Sequence, residues 1–140
     1  KGIRETIEKE PNNPLLYYNL GVISAELGEK EVAISYYKKS IDLDPNSENS
    51  YLNLVALILN GEQEIVDEMN SLGTSRSDNL RYDELKLLRE DLYVQCIPIL
   101  KNLIAVNNNV EAVRTLMNIY GTIGDNTGFT EMKNLLSELE

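Results

Sequence analysis

Carboxylates dominate the side chains of this sequence that could do chemistry: 23 Asp and Glu stand against 13 Lys and Arg, with no histidine. Without histidine there is no imidazole base for a nucleophilic triad and no His-containing zinc site. Paired carboxylates could still run general acid–base catalysis, but here they are scattered along what read as solvated helix faces. Asp42, Asp44, Asn46 and Glu48 alternate as calcium ligands do. Pro45 interrupts them, however, and the glycine and terminal glutamate of a calcium loop are missing, so a helix end is the better fit. Gly121, Gly124 and Gly128 lack phosphate-loop spacing and read as turn and packing glycines. Cys96 is the single cysteine and sits on an apolar helical stripe, the place of a buried structural thiol and not of a nucleophile. The expectation is a protein that is not an enzyme, with no cofactor and no metal.

Composition narrows the partners. A net charge of -10 repels phosphate backbones, which argues against nucleic acid, and disfavours anionic membrane surfaces. No apolar run approaches the roughly 20 residues of a spanning helix, so no membrane insertion is expected. One cysteine excludes an internal disulfide without fixing the compartment. The chain opens Lys1-Gly2-Ile3, with neither initiator methionine nor signal-peptide pattern, as a fragment would. At 140 residues it is long enough for one domain or for three to four helical hairpins.

The elements emerge from a repeat. Pro11 and Pro45, Asn12 and Asn46, Tyr17 and Tyr51, Asn19 and Asn53, and Leu20 and Leu54 each stand 34 residues apart. A weaker echo 96 residues on pairs Leu20 with Leu116, Gly28 with Gly124 and Ala33 with Phe129. The best unit runs from Pro14 to Ser47. Asn13 can cap its first helix, and Pro14 suits the first turn. Gly28-Glu29 breaks the run, and Val32, Ala33, Tyr36, Tyr37 and Ile41 follow at helical spacing. Pro45 ends the second helix by pushing Asp44 out of the helical region.

This unit resembles the tetratricopeptide repeat, a helix–turn–helix of 34 residues, through Tyr17, Leu20-Gly21, Ala33, Tyr37 and Pro45. Ser24 stands where that family often has Tyr, and Ser40 where it often has Ala. In physical terms, Gly21 and Ala33 let two helices approach while Tyr17 and Tyr37 fill the space around them. The resemblance implies an all-α fold of antiparallel helix hairpins stacked as an α-solenoid; the uninterrupted apolar rhythm around Pro98 adds one long helix, kinked at that proline. It also implies a protein or peptide partner.

Read against this pattern, residues 1–140 form a single repeat domain. Residues 1–13 are the end of a preceding repeat, with Ile3 and Ile7 on one face; 14–47 are the best unit and 48–78 a degenerate one. A polar break begins at Gly73, and a long helix follows from about Leu80 to Val106 within 79–109. Leu85, Leu88, Leu92, Cys96, Leu100 and Leu103 mark its apolar stripe. Asn107-Asn108-Asn109 makes a turn, and 110–140 form a terminal hairpin around Gly124-Asp125.

In such solenoids the first helices of successive units line the concave side. That rule selects Tyr18, Asn19 and Val22 in the first unit, Asn49, Leu52, Asn53 and Ala56 in the second, and Arg114 and Asn118 in the last hairpin. Two adjacent units then present a mostly apolar stripe edged by Asn19 and Asn53. Some family members clamp a peptide C-terminal carboxylate here. Asn53 fits such a clamp, but Tyr18 and Val22 stand where it needs Lys and Asn, so this mode is not expected. The stripe is either an open peptide groove or core covered by another element. The functional expectation is a protein–protein interaction scaffold that takes a peptide or helix of a partner on this face. A self-association module forming a homo-oligomer and a non-catalytic accessory domain of a larger protein are the alternatives.

Overall fold

The computed structural model describes residues 9–140; the reading of Ile3 and Ile7 as one helical face lies outside them. Among the described residues there is no strand. Seven helices follow in order: α1 (Pro14–Glu26), α2 (Lys30–Leu43), α3 (Glu48–Leu59), α4 (Glu62–Ser71), α5 (Arg76–Asn107), α6 (Val110–Ile123) and α7 (Asn126–Leu139). The chain divides within α3, at Leu57–Ile58, into two compact units.

In the first unit local chemistry sets each helix end. Asn13 Oδ1 accepts the backbone N–H groups of Leu15 and Leu16 at 3.0 and 3.3 Å, and Pro14 begins α1. At the other end Gly28 takes φ +80°, and the Glu29 N–H closes back on the Ser24 carbonyl at 2.9 Å. α2 stops at Asp44, whose extended backbone (φ −141°) precedes Pro45 and whose carboxylate accepts the Asn46 N–H at 3.1 Å. Tyr17, Leu20, Ala33, Tyr37, Tyr51, Leu54 and Val55 are buried, each large aliphatic or aromatic side chain contributing about 1.5–3 kcal/mol.

The 34-residue repeat is visible in a hydrogen bond. Tyr17 Oη donates to the Pro11 carbonyl at 3.1 Å, and Tyr51 Oη donates to the Pro45 carbonyl at 2.8 Å. The two tyrosines hold equivalent surroundings, each phenol capping the turn that precedes its own helix. Ser40 is fully buried because it has partners: its hydroxyl bonds the Pro14 carbonyl at 2.8 Å and Ser50 Oγ at 2.9 Å, and Ser50 in turn meets Ser47 at 2.9 Å. A buried hydroxyl so satisfied is tolerated where an alanine would otherwise fit.

In the second unit α5 begins at Arg76, a turn earlier than the hydrophobic pattern predicts. Ser75 Oγ accepts the Asp78 N–H at 3.1 Å, and Asp78 Oδ2 accepts the Gly73 N–H at 3.1 Å, so the polar break itself supplies the cap. The helix runs on through Pro98. Pro98 and Val94 are both exposed, so the carbonyl that proline deprives of its donor lies on the solvent side. Asn108 ends α5 in the left-handed conformation (φ 52°), and Asn109 caps α6 by accepting the Ala112 N–H at 2.8 Å. Gly124 (φ +82°) and the Asp125 N–H on the Tyr120 carbonyl (2.9 Å) close α6 as Gly28 and Glu29 close α1.

Leu85, Tyr93, Cys96, Leu100 and Leu103 of α5 are buried, with Ala112, Val113, Leu116, Ile119 and Tyr120 of α6. Leu92 is half-buried. Leu88, expected on the same stripe, is half exposed at 50%. It lies a quarter turn off the line through Leu85 and Cys96, which the helical period explains.

Candidate functional site

Seven of the nine residues singled out from sequence lie in the first unit, on α1 and α3. None is buried: Tyr18, Val22, Leu52 and Asn53 are half-buried, and Asn19, Asn49 and Ala56 are exposed. Asn53 Nδ2 donates to Tyr18 Oη at 3.0 Å, tying α3 to α1 across 35 residues of chain. The Tyr18 ring stands 6.0 Å from that of Tyr37 at 53°, a tilted arrangement of the kind aromatic pairs favour. Tyr37 belongs to α2 and is buried, and it was read from sequence only as core.

The electrostatics of this cluster are modest. Burial raises the Tyr37 phenol above its ordinary 10.0; a hydrogen bond from Asn53 pulls against it, and Tyr18 and Glu26 add to the rise. The Tyr37 phenol therefore keeps its proton near pH 7, and the face offers hydroxyl and amide groups amid aliphatic surface. Such groups bind by shape and hydrogen bonding.

Gly21 is what lets this cluster form. A Cβ at that position would sit 2.7 Å from Tyr37 Cε1 and 2.8 Å from Cδ1. The bare backbone of α1 thus serves as the floor against which the Tyr37 ring packs. Ser40, one turn further along α2, fixes that helix to the Pro14 carbonyl. Tyr18 and Asn53 are held by rigid neighbours.

Arg114 and Asn118, the remaining two residues, are exposed on α6 in the second unit. The Arg114 guanidinium is engaged by Glu140 at 2.6 Å.

The second unit has its own polar cluster, which sequence reading did not anticipate. Arg89 Nε donates to Glu62 Oε2 and to Tyr93 Oη, both at 3.1 Å, and Tyr93 Oη donates to the same carboxylate. Burial pulls the Arg89 guanidinium down, but Glu62 and Tyr93 outweigh it and hold it above its ordinary value. Burial, then the Glu62 carboxylate, pushes the Tyr93 phenol up. The Cys96 thiol, fully buried, is pushed up from 9.0 to about 12, chiefly by burial with Glu62 adding. A cleft of about 160 Å³ opens beside this cluster, with Met69, Tyr82, Lys86 and Glu90 on its walls. Its arginine is already paired. Among the described residues no group of three or more Cys, Asp and Glu is placed to hold a metal ion, and no helix is long and apolar enough to cross a membrane.

Comparison with known proteins bears on these geometries. The family model described as the tetratricopeptide repeat matches residues 15–47. The photosystem I assembly protein Ycf3 of Rippkaea orientalis (strain PCC 8801 / RF-1) is 40% identical over 53 residues, which cover 37% of this chain. The match spans 30% of that relative's length. Among solved structures, YrrB, titled a TPR protein with an unusual peptide-binding site, aligns over 99% of this chain and 74% of its own, at 16% identity and a TM-score of 0.40. The matched repeat begins and ends with the α1–α2 hairpin, whose Tyr17, Gly21, Ala33 and Tyr37 interlock as that family's spacing requires. What the comparison shows is a tetratricopeptide repeat at residues 15–47.

Proposed function

We propose that the protein is an interaction scaffold that holds a peptide of a partner on the α1–α3 face of its first unit. The observation that carries this reading is the Asn53–Tyr18 hydrogen bond over the buried Tyr37 ring. It pre-orders two half-buried polar side chains amid Val22, Leu52 and Ala56, none of which is sealed. A ligand meeting a pre-ordered face loses less to side-chain ordering. An extended or helical peptide would cover Val22 and Leu52 and hydrogen-bond to Asn19, Asn49 and the free valences of Asn53. The similarity to an assembly protein fits a role of holding proteins together.

The test is peptide selection by display against the whole chain, followed by affinity measurements on the selected sequences. Tyr18→Ala and Leu52→Glu are expected to weaken them by about tenfold or more, while Arg114→Ala leaves them bound. Selected peptides that bind both α1–α3 variants as tightly as the parent would overturn the assignment. Circular dichroism confirms that the variants fold, since neither side chain is buried.

A further inference from the structure

One face of α5 carries three large aliphatic side chains that are mostly exposed. Leu80, Leu87 and Val94 are 60%, 66% and 58% exposed, and they recur every seven residues. On an α-helix that interval brings side chains back to nearly the same side, about 10.5 Å apart, so the three form one stripe about 21 Å long. The buried residues Leu85, Cys96 and Leu103 lie on the opposite side of the same helix. Isolated exposed aliphatics need no explanation, but a row of three on one face of a 32-residue helix calls for one.

Carboxylates edge that stripe on both sides. Asp83 and Glu90 fall to one side, and Glu84 and Asp91 to the other, each within about 60° of the line through Leu87. The cations of the same stretch are turned away: Arg81 is held by Glu68 and Arg89 by Glu62, and Lys86 lies a quarter turn off. Glu84 touches Arg81 only at 4.0 Å, and Asp91 accepts from Gln95 at 3.0 Å. Arg76 and Lys101 lie beyond the two ends of the stripe.

We infer that this face docks a basic amphipathic helix, one with an aliphatic seam of heptad spacing flanked by Lys or Arg. The charges exclude the obvious alternative of a second copy. A parallel pairing sets Asp83 beside Glu84 and Glu90 beside Asp91. The antiparallel register that matches all three aliphatics, centred on Leu87, sets Asp83 against Glu90 and Glu84 against Asp91. A basic helix meets the same carboxylates with attraction in either direction. This surface is separate from the α1–α3 face and does not depend on it.

The experiment uses the whole chain and two synthetic helical peptides of about three heptads with identical leucine seams, one edged by Lys and one by Glu. Fluorescence anisotropy should show binding of the Lys-edged peptide alone, weaker at about 500 mM salt than at about 50 mM. Leu87→Asp and, separately, Leu80→Asp should each weaken it by about tenfold or more. Both substitutions add negative charge, so general attraction between a basic peptide and an acidic protein would strengthen instead. Unchanged or tighter binding to these variants overturns the proposal, as does failure of the Lys-edged peptide to bind the parent. A concentration-dependent dimer that Leu87→Asp abolishes would also overturn it, by assigning the seam to a second copy. Tyr18→Ala should leave this binding intact.

Discussion

Two glycines are each overlain by a tyrosine ring. A Cβ on Gly21 would lie 2.7 Å from Tyr37, and one on Gly128 would lie 2.7 Å from two carbons of the Tyr120 ring. Both rings are buried and hemmed in, so the added methyl forces a helix or a ring to move. Gly21→Ala and Gly128→Ala should each destabilise by roughly 1–3 kcal/mol, the usual range for overpacking. Gly28→Ala meets open space but requires a left-handed alanine (φ +80°), a strain of about 1–2 kcal/mol. Gly61 has neither problem: its φ is −87° and nothing lies within 4 Å of its Cβ. Gly61→Ala should be neutral or stabilising by up to about 1 kcal/mol. Urea midpoints on the four variants check the series, and a Gly21→Ala protein as stable as the parent would refute the close approach. The Gly21–Tyr37 pairing was legible in sequence, because the repeat spacing places a small residue and an aromatic on facing helices. The Tyr120–Gly128 pairing was hidden. The echo at 96 residues aligns Ala33 with Phe129, and the ring settles on the smaller neighbour before it.

At the scale of the helix, α5 shows where pattern reading stops. Its apolar stripe announces the buried Leu85, Cys96, Leu100 and Leu103, yet the stripe begins only at Leu80, because hydrophobic periodicity fades in a first turn that is all cap. The signal was there: Ser75-Arg76-Ser77-Asp78 has the serine and acid spacing of a capping box. The Leu80–Leu87–Val94 row is indistinct in the sequence because a seven-residue interval also falls within the three-or-four-residue rhythm of the buried stripe. Only exposure separates the two faces. On the α1–α3 face, sequence repetition placed Asn19 and Asn53 alike, but it cannot say what lies alongside each. Asn53 meets Tyr18, while Asn19 stays exposed. Pro98 gives this element its own test. Interior proline costs about 3 kcal/mol by removing a hydrogen bond and crowding the preceding turn. Because Pro98 is exposed, alanine there displaces no neighbour and restores a donor to the Val94 carbonyl. Pro98→Ala should raise stability by about 1–3 kcal/mol, read as a higher thermal midpoint. An unchanged or lower midpoint would mean that the fold of the second unit depends on the proline.

For the molecule as a whole, the perturbed groups set the direction in which stability depends on pH. Tyr37 and Tyr51 in the first unit and Tyr93 in the second are raised above 10.0 by burial, and Cys96 is raised from 9.0 to about 12. A group whose pKa is higher folded than unfolded holds its proton more tightly in the folded state. Its contribution is complete below the unfolded value and is lost as pH climbs through the folded one. Stability should therefore begin to fall above about pH 9, where the unfolded thiol first ionises, and steepen past about pH 10 as the tyrosines join it. For Cys96 alone the full rise is on the order of 4 kcal/mol. On the acid side Glu68, lowered by its hydrogen bonds to Arg81, works in the opposite sense: its contribution is present above the usual carboxylate range and is lost as pH falls. That pair is solvent-facing and salt-screened, so the alkaline limb is the larger. Urea midpoints followed by circular dichroism from about pH 7 to about pH 11 should trace a plateau and then a decline. Cys96→Ala should delay the onset of that decline by removing its earliest contributor, although the cavity it leaves lowers the plateau. Midpoints that hold level to the top of the range would show that these phenols and this thiol meet water in the folded chain, and that the packing of both units is looser than their burial requires.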